Sequence, residues 1–364
     1  MLTIDLGAIQ QNWLTLTSLT KADVAGVVKA NAYGLGAKEV ANSLFAVGCK
    51  QFFFATFDEA VAARVYLPPE SKLYVLGGLR LIDLRELCKQ DITPVLCSGY
   101  DIEQWLAYKV ASGNEAAAAL KINTGMTRFG LDEKEFSLLC DSPETLKIIN
   151  PELLMSHLSS ADDKMSSHNP RQLERFSRAC SRIKTLVPSI RASLANSSGI
   201  FLGDAWHFDL VRPGAALYGV NPMPGEQNPM VPVFRLELPV LQVRSLSSAE
   251  HIGYSATAQL SPGARIAVLA GGYADGIHRT LGARKECLLL GQRVKILGRI
   301  SMDSLMIDIS DLPHSDNEVM NALVEVVGAG NPLDDLMQNN QTLGYEVLTS
   351  LGSRYKRKYL PGVP

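Results

Sequence analysis

The chain has 364 residues, a formal net charge of −2, 46% hydrophobic and 20% charged residues, the balance of a globular protein of two domains or one large domain with an appendage. Its basic residues do not cluster, which argues against a nucleic-acid-binding or membrane-surface protein, and no apolar run is long enough to span a bilayer. The start, Met1-Leu-Thr-Ile-Asp5, does not read as a signal peptide; Cys49, Cys88, Cys97, Cys140, Cys180 and Cys287 are scattered, with no CxxC pair, and read as reduced thiols of a cytoplasmic protein, with no metal site.

From about residue 24 to residue 220, short apolar runs alternate with amphipathic segments. The runs predict strands at Val24–Val28, Gln51–Ala55, Leu73–Leu76, Thr93–Cys97, Ala118–Ile122, Leu153–Ser156, Ile190–Leu194 and His207–Val211. Apolar residues at three- and four-residue spacing predict helices at Ala37–Val47, Phe57–Val65, Leu81–Gln90, Ile102–Ala111, Glu133–Cys140 and Pro170–Leu186. Strands separated by helices in this way predict an α/β fold, an N-terminal parallel (β/α)8 barrel of the TIM type.

The character changes at Asn221-Pro-Met-Pro-Gly225, the start of a Pro/Gly/Asn-rich hinge that runs to Met230. Beyond it, strands are expected at Phe234–Leu246, Ala264–Leu269, Glu286–Leu290, Arg293–Leu297, Asp303–Ile309 and Ala322–Val327, with a helix at Gly344–Leu351. The expected organisation is therefore a barrel over residues 1–225 and a β-rich C-terminal domain over 226–364, with residues 1–10 free to join the latter.

In such a barrel, functional groups gather at the carboxyl ends of the strands. Lys29 ends the first predicted strand; Lys121, Asn123, Thr124 and Arg128 follow the fifth; Ser156 and His157 follow the sixth; Asn196 and Ser197 the seventh; Arg212, Gly214 and Ala215 the eighth. A lysine held at a strand end is partly desolvated, which lowers its pKa and makes it a candidate Schiff-base amine. Out of context, Lys29 reads as a surface lysine, Asn196-Ser197 as a helix cap and Arg212 as an ion-pairing loop arginine.

The stretch Lys29-Ala-Asn-Ala-Tyr33-Gly-Leu-Gly36 resembles the pyridoxal-phosphate attachment segment of the alanine racemases. Further segments extend the resemblance in the family's order: Lys121-Ile-Asn-Thr-Gly-Met-Thr-Arg128, Met155-Ser-His157, Ala195-Asn-Ser197, Val211-Arg212-Pro-Gly-Ala215, Gly253-Tyr254-Ser255, Gly272-Tyr273 and Ser301-Met302-Asp303. The resemblance covers nearly the whole chain. It implies an isomerase that interconverts L- and D-alanine, a head-to-tail homodimer with shared active sites, and D-alanine supply for peptidoglycan.

It implies site roles as well. Lys29 carries the cofactor as a Schiff base and serves one face of the substrate; Tyr254, from the partner subunit, serves the other. Arg212 faces the cofactor's ring nitrogen, where a guanidinium gives no proton away. Tyr33, Asn196, Ser197, Gly214 and Ala215 surround the phosphate, and His157 lies by the ring. Arg128 and the Met302 backbone hold the substrate carboxylate, with Lys121, a position carbamylated in part of the family, supporting Arg128. Tyr273 and Asp303 shape the mouth of the site. Two departures stand out: Ser193 occupies a position where some members have a histidine, and Ser353, with Tyr355 two residues on, stands where some place a tyrosine on the phosphate. A broader-specificity or serine racemase and a non-catalytic pyridoxal-phosphate binding protein are the alternatives; Arg212 and Tyr254 argue against a basic amino-acid decarboxylase.

Overall fold

A computed structural model describes residues 1–279, 286–337 and 344–362. Its contacts divide the chain into two compact units: residues 9–32 with 36–231, and residues 1–8 with 33–35 and 232–362. The fold class is the one expected: a parallel α/β barrel and a largely antiparallel, strand-rich unit.

The barrel unit holds seven parallel strands in spatial order Gly26–Val27, Gln51–Phe54, Lys72–Val75, Ile92–Leu96, Ala118–Lys121, Pro151–Met155 and Arg191–Ser193. The short strand Leu210–Val211 pairs in parallel with Asp23–Val24. Asp209 N–H donates to Ala192 O, and Arg212 N–H to Ala195 O, each at 3.0 Å, so the eighth strand is tied to both neighbours and the cylinder closes. The predicted Val24–Val28 strand is divided at Ala25 because a closing strand serves two partners: residues 23–24 pair with the last strand and 26–27 with the second. The predicted His207–Val211 strand shortens to Leu210–Val211 behind the 3-10 turn Asp204–Trp206, and His207 is buried with its Nε2 at 2.9 Å from Ile200 O.

Helices follow the strands, and their ends obey local chemistry. Phe57–Arg64 starts with a reciprocal capping box between Thr56 and Glu59. The helix expected from Leu81 begins at Leu84, because Asp83 accepts the N–H groups of Arg85 and Glu86. Gly99–Ser112 is longer than expected, running from its Ser98 cap to left-handed Gly113. Leu6–Ser18 and Pro143–Ile149 lie outside the predicted set.

In the other unit, eight described strands form one sheet ordered Arg265–Ala270, Ser304–Asp308, Gln292–Leu297, Glu286–Leu289, Leu323–Val327, Phe234–Ser245, Leu2–Asp5 and Arg357–Leu360. The twelve-residue strand Phe234–Ser245 also pairs with Arg265–Ala270 beyond an irregularity at Val240/Gln242, curling the sheet on itself. The amino-terminal strand lies between Phe234–Ser245 and Arg357–Leu360. A separate hairpin, Glu250–Ile252 with Ala258–Leu260, carries Tyr254 in its turn.

The barrel's helical shell depends on large buried anchors. Trp105 is fully buried and its indole N–H donates to Ile149 O at 3.2 Å. Trp105→Ala is expected to lower unfolding stability by about 3–5 kcal/mol, and Trp105→Phe by less; urea titrations of both variants check this.

Candidate active site

The first strand ends at Lys29, and the backbone then enters an uncommon conformation. Ala30, Asn31, Ala32 and Tyr33 have φ of 52, 55, 53 and 53°. Left-handed backbone costs a non-glycine residue roughly 1–2 kcal/mol, so the turn persists because neighbours over-determine it. Ala32 N–H donates to Val28 O at 2.8 Å, and Asn31 accepts from Gly36 N–H through its backbone oxygen and from Ala37 N–H through Oδ1. Ala30 N–H donates to Glu59 Oε1 at 2.7 Å. The turn leaves the Lys29 amine partly buried; burial first, then the Arg128 cation, lowers its pKa, and Glu59 opposes the shift.

The fifth strand ends at buried Lys121, whose Nζ lies 5.4 Å from the Phe129 ring centroid. Burial first, with Arg212, Arg128 and Lys29 adding to it, pushes this amine down to about 8. The loop it opens returns on itself: Asn123 N–H donates to Leu131 O, Leu131 N–H to Lys121 O, and Asn123 Oδ1 accepts from Gly125 and Thr127. Gly130 closes this neck with φ 120°, and a Cβ there would lie 2.5 Å from Ile122 C, which only glycine tolerates. Arg128 sits exposed on the loop.

Beneath the loop lies a buried polar network. Thr124 Oγ1 and Ser156 Oγ are 2.8 Å apart; Gln172 Nε2 donates to Thr124 Oγ1 at 3.1 Å and to His157 O at 2.9 Å, while its Oε1 accepts from Ser159 N–H. Arg212 is 5% exposed. Its Nη2 donates to Ser156 O at 2.5 Å and its Nη1 to Ser193 Oγ, which in turn donates to Leu210 O. Burial pushes the guanidinium down to about 9, so it remains a cation near neutrality. His157 is held well below the ordinary histidine range by burial, then by Arg212, Lys121, Arg128 and Lys29, and is a neutral imidazole.

Asn196 caps Ser197–Ile200 by accepting Gly199 N–H at 2.9 Å. Ser197 is buried, and its Oγ accepts from Gly214 N–H at 3.0 Å and Ala216 N–H at 3.1 Å. Ala215 opens the 3-10 turn Ala215–Tyr218, where backbone donors lack internal partners. The barrel unit thus brings Lys29, Lys121, Arg128 and Arg212 within electrostatic reach of His157.

The remaining expected residues belong to the strand-rich unit. Burial, then Tyr345, pushes the Tyr33 hydroxyl up to about 12. Tyr254, at 68% exposure, opens a turn in which Ser255 and Ala256 have φ of 60 and 50°. Tyr273 N–H donates to Ser301 O, and Ala274 N–H to Met302 O. Gly272 permits this approach, since a Cβ there would lie 2.2 Å from Ser301 O. Arg354 bonds Asp303 at 2.7 Å and pairs with buried Asp275 at 3.3 Å, and Asp275 accepts Gly272 N–H. Ser353 is exposed; the Tyr355 hydroxyl is buried without a hydrogen-bond partner among the described residues, and burial, then Asp275, raises its pKa. Glu59, Gln172 and the Asp275–Arg354 pair escaped the sequence reading; the Thr56-x-x-Glu59 capping pattern was visible, but not its reach to Ala30. Among the described residues no group of His, Cys, Asp and Glu could hold a metal ion, and no helix is long and apolar enough to cross a membrane.

Family models for the alanine racemase N-terminal and C-terminal domains match residues 4–222 and 233–359. The chain belongs to the alanine racemase family. It is 42% identical to an alanine racemase of Rhodospirillum rubrum over 99% of this chain and 95% of that one. It is 41% identical to a catabolic alanine racemase of Agrobacterium fabrum over 100% and 92%. A crystal structure of the Bartonella henselae alanine racemase with covalently bound pyridoxal phosphate superposes with a TM-score of 0.93 at 35% identity, covering 99% of both chains. The chain is thus an isomerase of alanine.

Two outcomes follow from the geometry. Ser193→Ala leaves a buried guanidinium donor unmet and is expected to cost about 1–3 kcal/mol of stability, read by urea denaturation. Lys121 is more acidic folded than unfolded, so between about pH 8 and the ordinary lysine range the unfolded chain binds more protons and stability rises with pH. Lys121→Met should flatten that rise in a pH series of denaturation curves.

Proposed function

We propose that the chain racemises alanine by two proton-transferring side chains on opposite faces of the substrate, Lys29 of one protomer and Tyr254 of the partner subunit. The observation that carries this reading is the cationic basin at the strand ends, where, among the described residues, Arg212 is bonded to uncharged oxygens, Ser193 Oγ and Ser156 O. The donors fit pyridoxal phosphate: an amine of lowered pKa suits its aldehyde, and Ser197, flanked by Asn196, with the Gly214–Ala215 backbone suits its dianion, Tyr33 joining them by resemblance. When bound, the cofactor supplies the electron sink that acidifies the substrate's Cα–H.

Lys29 would hold the cofactor and would be the amine that takes or returns a proton on its face of the substrate. Arg212, a cation near neutrality, would offer the ring nitrogen N–H donors while keeping its own proton, so the sink would stay weak and the proton would return to Cα. Neutral His157 would lie by the ring without adding charge. Arg128 supplies a bidentate fork for the substrate carboxylate, with the Met302 backbone as a second donor. Lys121 near pKa 8 holds a reactive fraction of neutral amine; its carbamate would place a negative charge among these cations and fix Arg128. The exposure of Tyr254, Tyr273 and Met302 supports a homodimer in which these residues meet the partner's barrel, with Asp303 and Arg354 bracing the mouth. Ser353 is assigned to the phosphate side by resemblance alone. Barrel residues 1–225 and β-rich residues 226–364 remain our division by function, with residues 1–8 grouping with the latter.

D-Alanine supply for peptidoglycan in a reducing cytoplasm is the role we favour, supported by six free thiols, five of them buried. The catabolic Agrobacterium relative makes breakdown of D-alanine the second reading. Deletion of the gene separates the two: a requirement for D-alanine supports the first, and loss only of growth on alanine as carbon source supports the second.

The mechanism is tested with L-alanine in D2O, L-serine and L-lysine running in parallel. Exchange at Cα with accumulation of D-alanine is expected, and Lys29→Ala or Tyr254→Phe should each lower the rate about 10²–10⁴-fold, Tyr254→Phe keeping the cofactor's yellow colour. Because each shared site would use one residue from each chain, co-expression of the two inactive variants should restore about a quarter of wild-type activity. Absence of any restoration would place Lys29 and Tyr254 on the same chain's site.

A further inference from the structure

We infer that Glu59 is a positioning residue for the Lys29 amine, its carboxylate clamping the peptide that follows Lys29 to the end of the neighbouring strand. The inference rests on the reading of Lys29 as the attachment residue. Both carboxylate oxygens of Glu59 are engaged with backbone N–H groups. Oε1 accepts from Ala30 at 2.7 Å; Oε2 accepts from Ala55 at 2.9 Å and Thr56 at 3.3 Å. Ala30 is the residue immediately after Lys29, and Ala55 immediately follows the parallel strand Gln51–Phe54. One anion therefore ties together the carboxyl ends of two adjacent barrel strands with charge-assisted bonds. It does so where left-handed backbone begins, the point at which the direction of the Lys29 side chain is set.

The capping box alone does not account for this. A capping glutamate at the third helical position returns to its own cap's N–H, and here Oε2 performs that task at Thr56. Oε1 is turned to a different strand, separated by 29 residues in sequence. Glutamine cannot reproduce the arrangement, because its second head-group atom is a donor and would face donors. Aspartate keeps the charge and lacks the methylene needed to span both strand ends. Around Lys29, burial and the Arg128 cation lower the amine's pKa and Glu59 acts against them from the helix, the one carboxylate among the described residues that raises it; Lys121 and His157, at the strand ends, are themselves lowered by Lys29.

The test compares Glu59→Gln, Glu59→Asp and Thr56→Ala, the last breaking the same capping box without touching Ala30. In the cofactor-free protein, the pH dependence of acylation of Lys29 by a limiting reagent is followed by peptide mass spectrometry. Glu59→Gln is expected to move the midpoint down by about half a unit or more, while Thr56→Ala leaves it in place and lowers only the melting temperature. In the loaded enzyme, Glu59→Gln and Glu59→Asp should lower kcat at least about tenfold with KM less affected. They should also raise the deuterium isotope effect with one enantiomer of Cα-deuterated alanine and not the other, since Lys29 serves one face. Equal midpoints in Glu59→Gln and Thr56→Ala, or equal isotope effects for both enantiomers, would overturn the assignment. Borohydride reduction and mapping of the cofactor-bearing peptide reports separately on the underlying reading: a label on any residue other than Lys29 ends that reading whatever the Glu59 variants do.

Discussion

The barrel is organised around a concentration of positive charge that it does not neutralise. Lys29, Lys121, Arg128 and Arg212 all act on His157, and each lowers its pKa. Burying a charge without a partner is costly, and the chain meets that cost with uncharged acceptors rather than carboxylates. Arg212 is held by a serine hydroxyl and a peptide oxygen, and the floor beneath it by Thr124, Ser156 and Gln172. On the function proposed above, a phosphate and a substrate carboxylate would be the two anions brought to this basin, and the imbalance would serve to recognise them. Its cost to the folded chain is the usual exchange of stability for function.

Strain is placed by the same logic. The turn Ala30–Tyr33 puts non-glycine residues in left-handed backbone beside the residue that must be aimed. Three of its residues are tied to something rigid: Ala30 to Glu59, Ala32 to Val28, and Asn31 to the start of the helix Ala37–Ala46. The loop of Arg128 is built similarly, with Thr127 at φ 54° and a glycine neck sealed against Ile122. Both cationic side chains therefore project from short, strained, heavily bonded segments. Such segments fix direction better than a floppy loop, and they lie at the carboxyl ends of parallel strands, the side on which a barrel places its chemistry.

Much of this could be read from the sequence, for physical reasons that can be named. Parallel strands buried on both faces are near-continuous apolar runs, so Gln51–Phe54 or Pro151–Met155 announce themselves, and the polar residue ending each run marks the functional face. Glu133–Cys140 was legible to the residue because its cap and its periodicity agree. Pro143–Ile149 was missed because its seven residues are too few to display a period. The division of the first strand at Ala25 was hidden because it is a property of closure, not of local pattern. The basic residues of the basin could be listed in advance, but Glu59 and Gln172 could not: both look like ordinary helix-surface residues until the fold brings Ala30 and Thr124 to them.

Ser193 shows how a departure from the family's pattern can preserve function. The position has to present an acceptor to Arg212, and a hydroxyl does so while donating onward to Leu210 O. A histidine can also accept, but it is a titratable group. In this basin burial and the neighbouring cations already hold His157 neutral far below its usual range, and a second imidazole beside Arg212 would be driven the same way. Serine makes the required bond with no charge state to control. Arg212 is therefore held by an uncharged hydroxyl and a peptide oxygen, partners whose charge does not change across the neutral range.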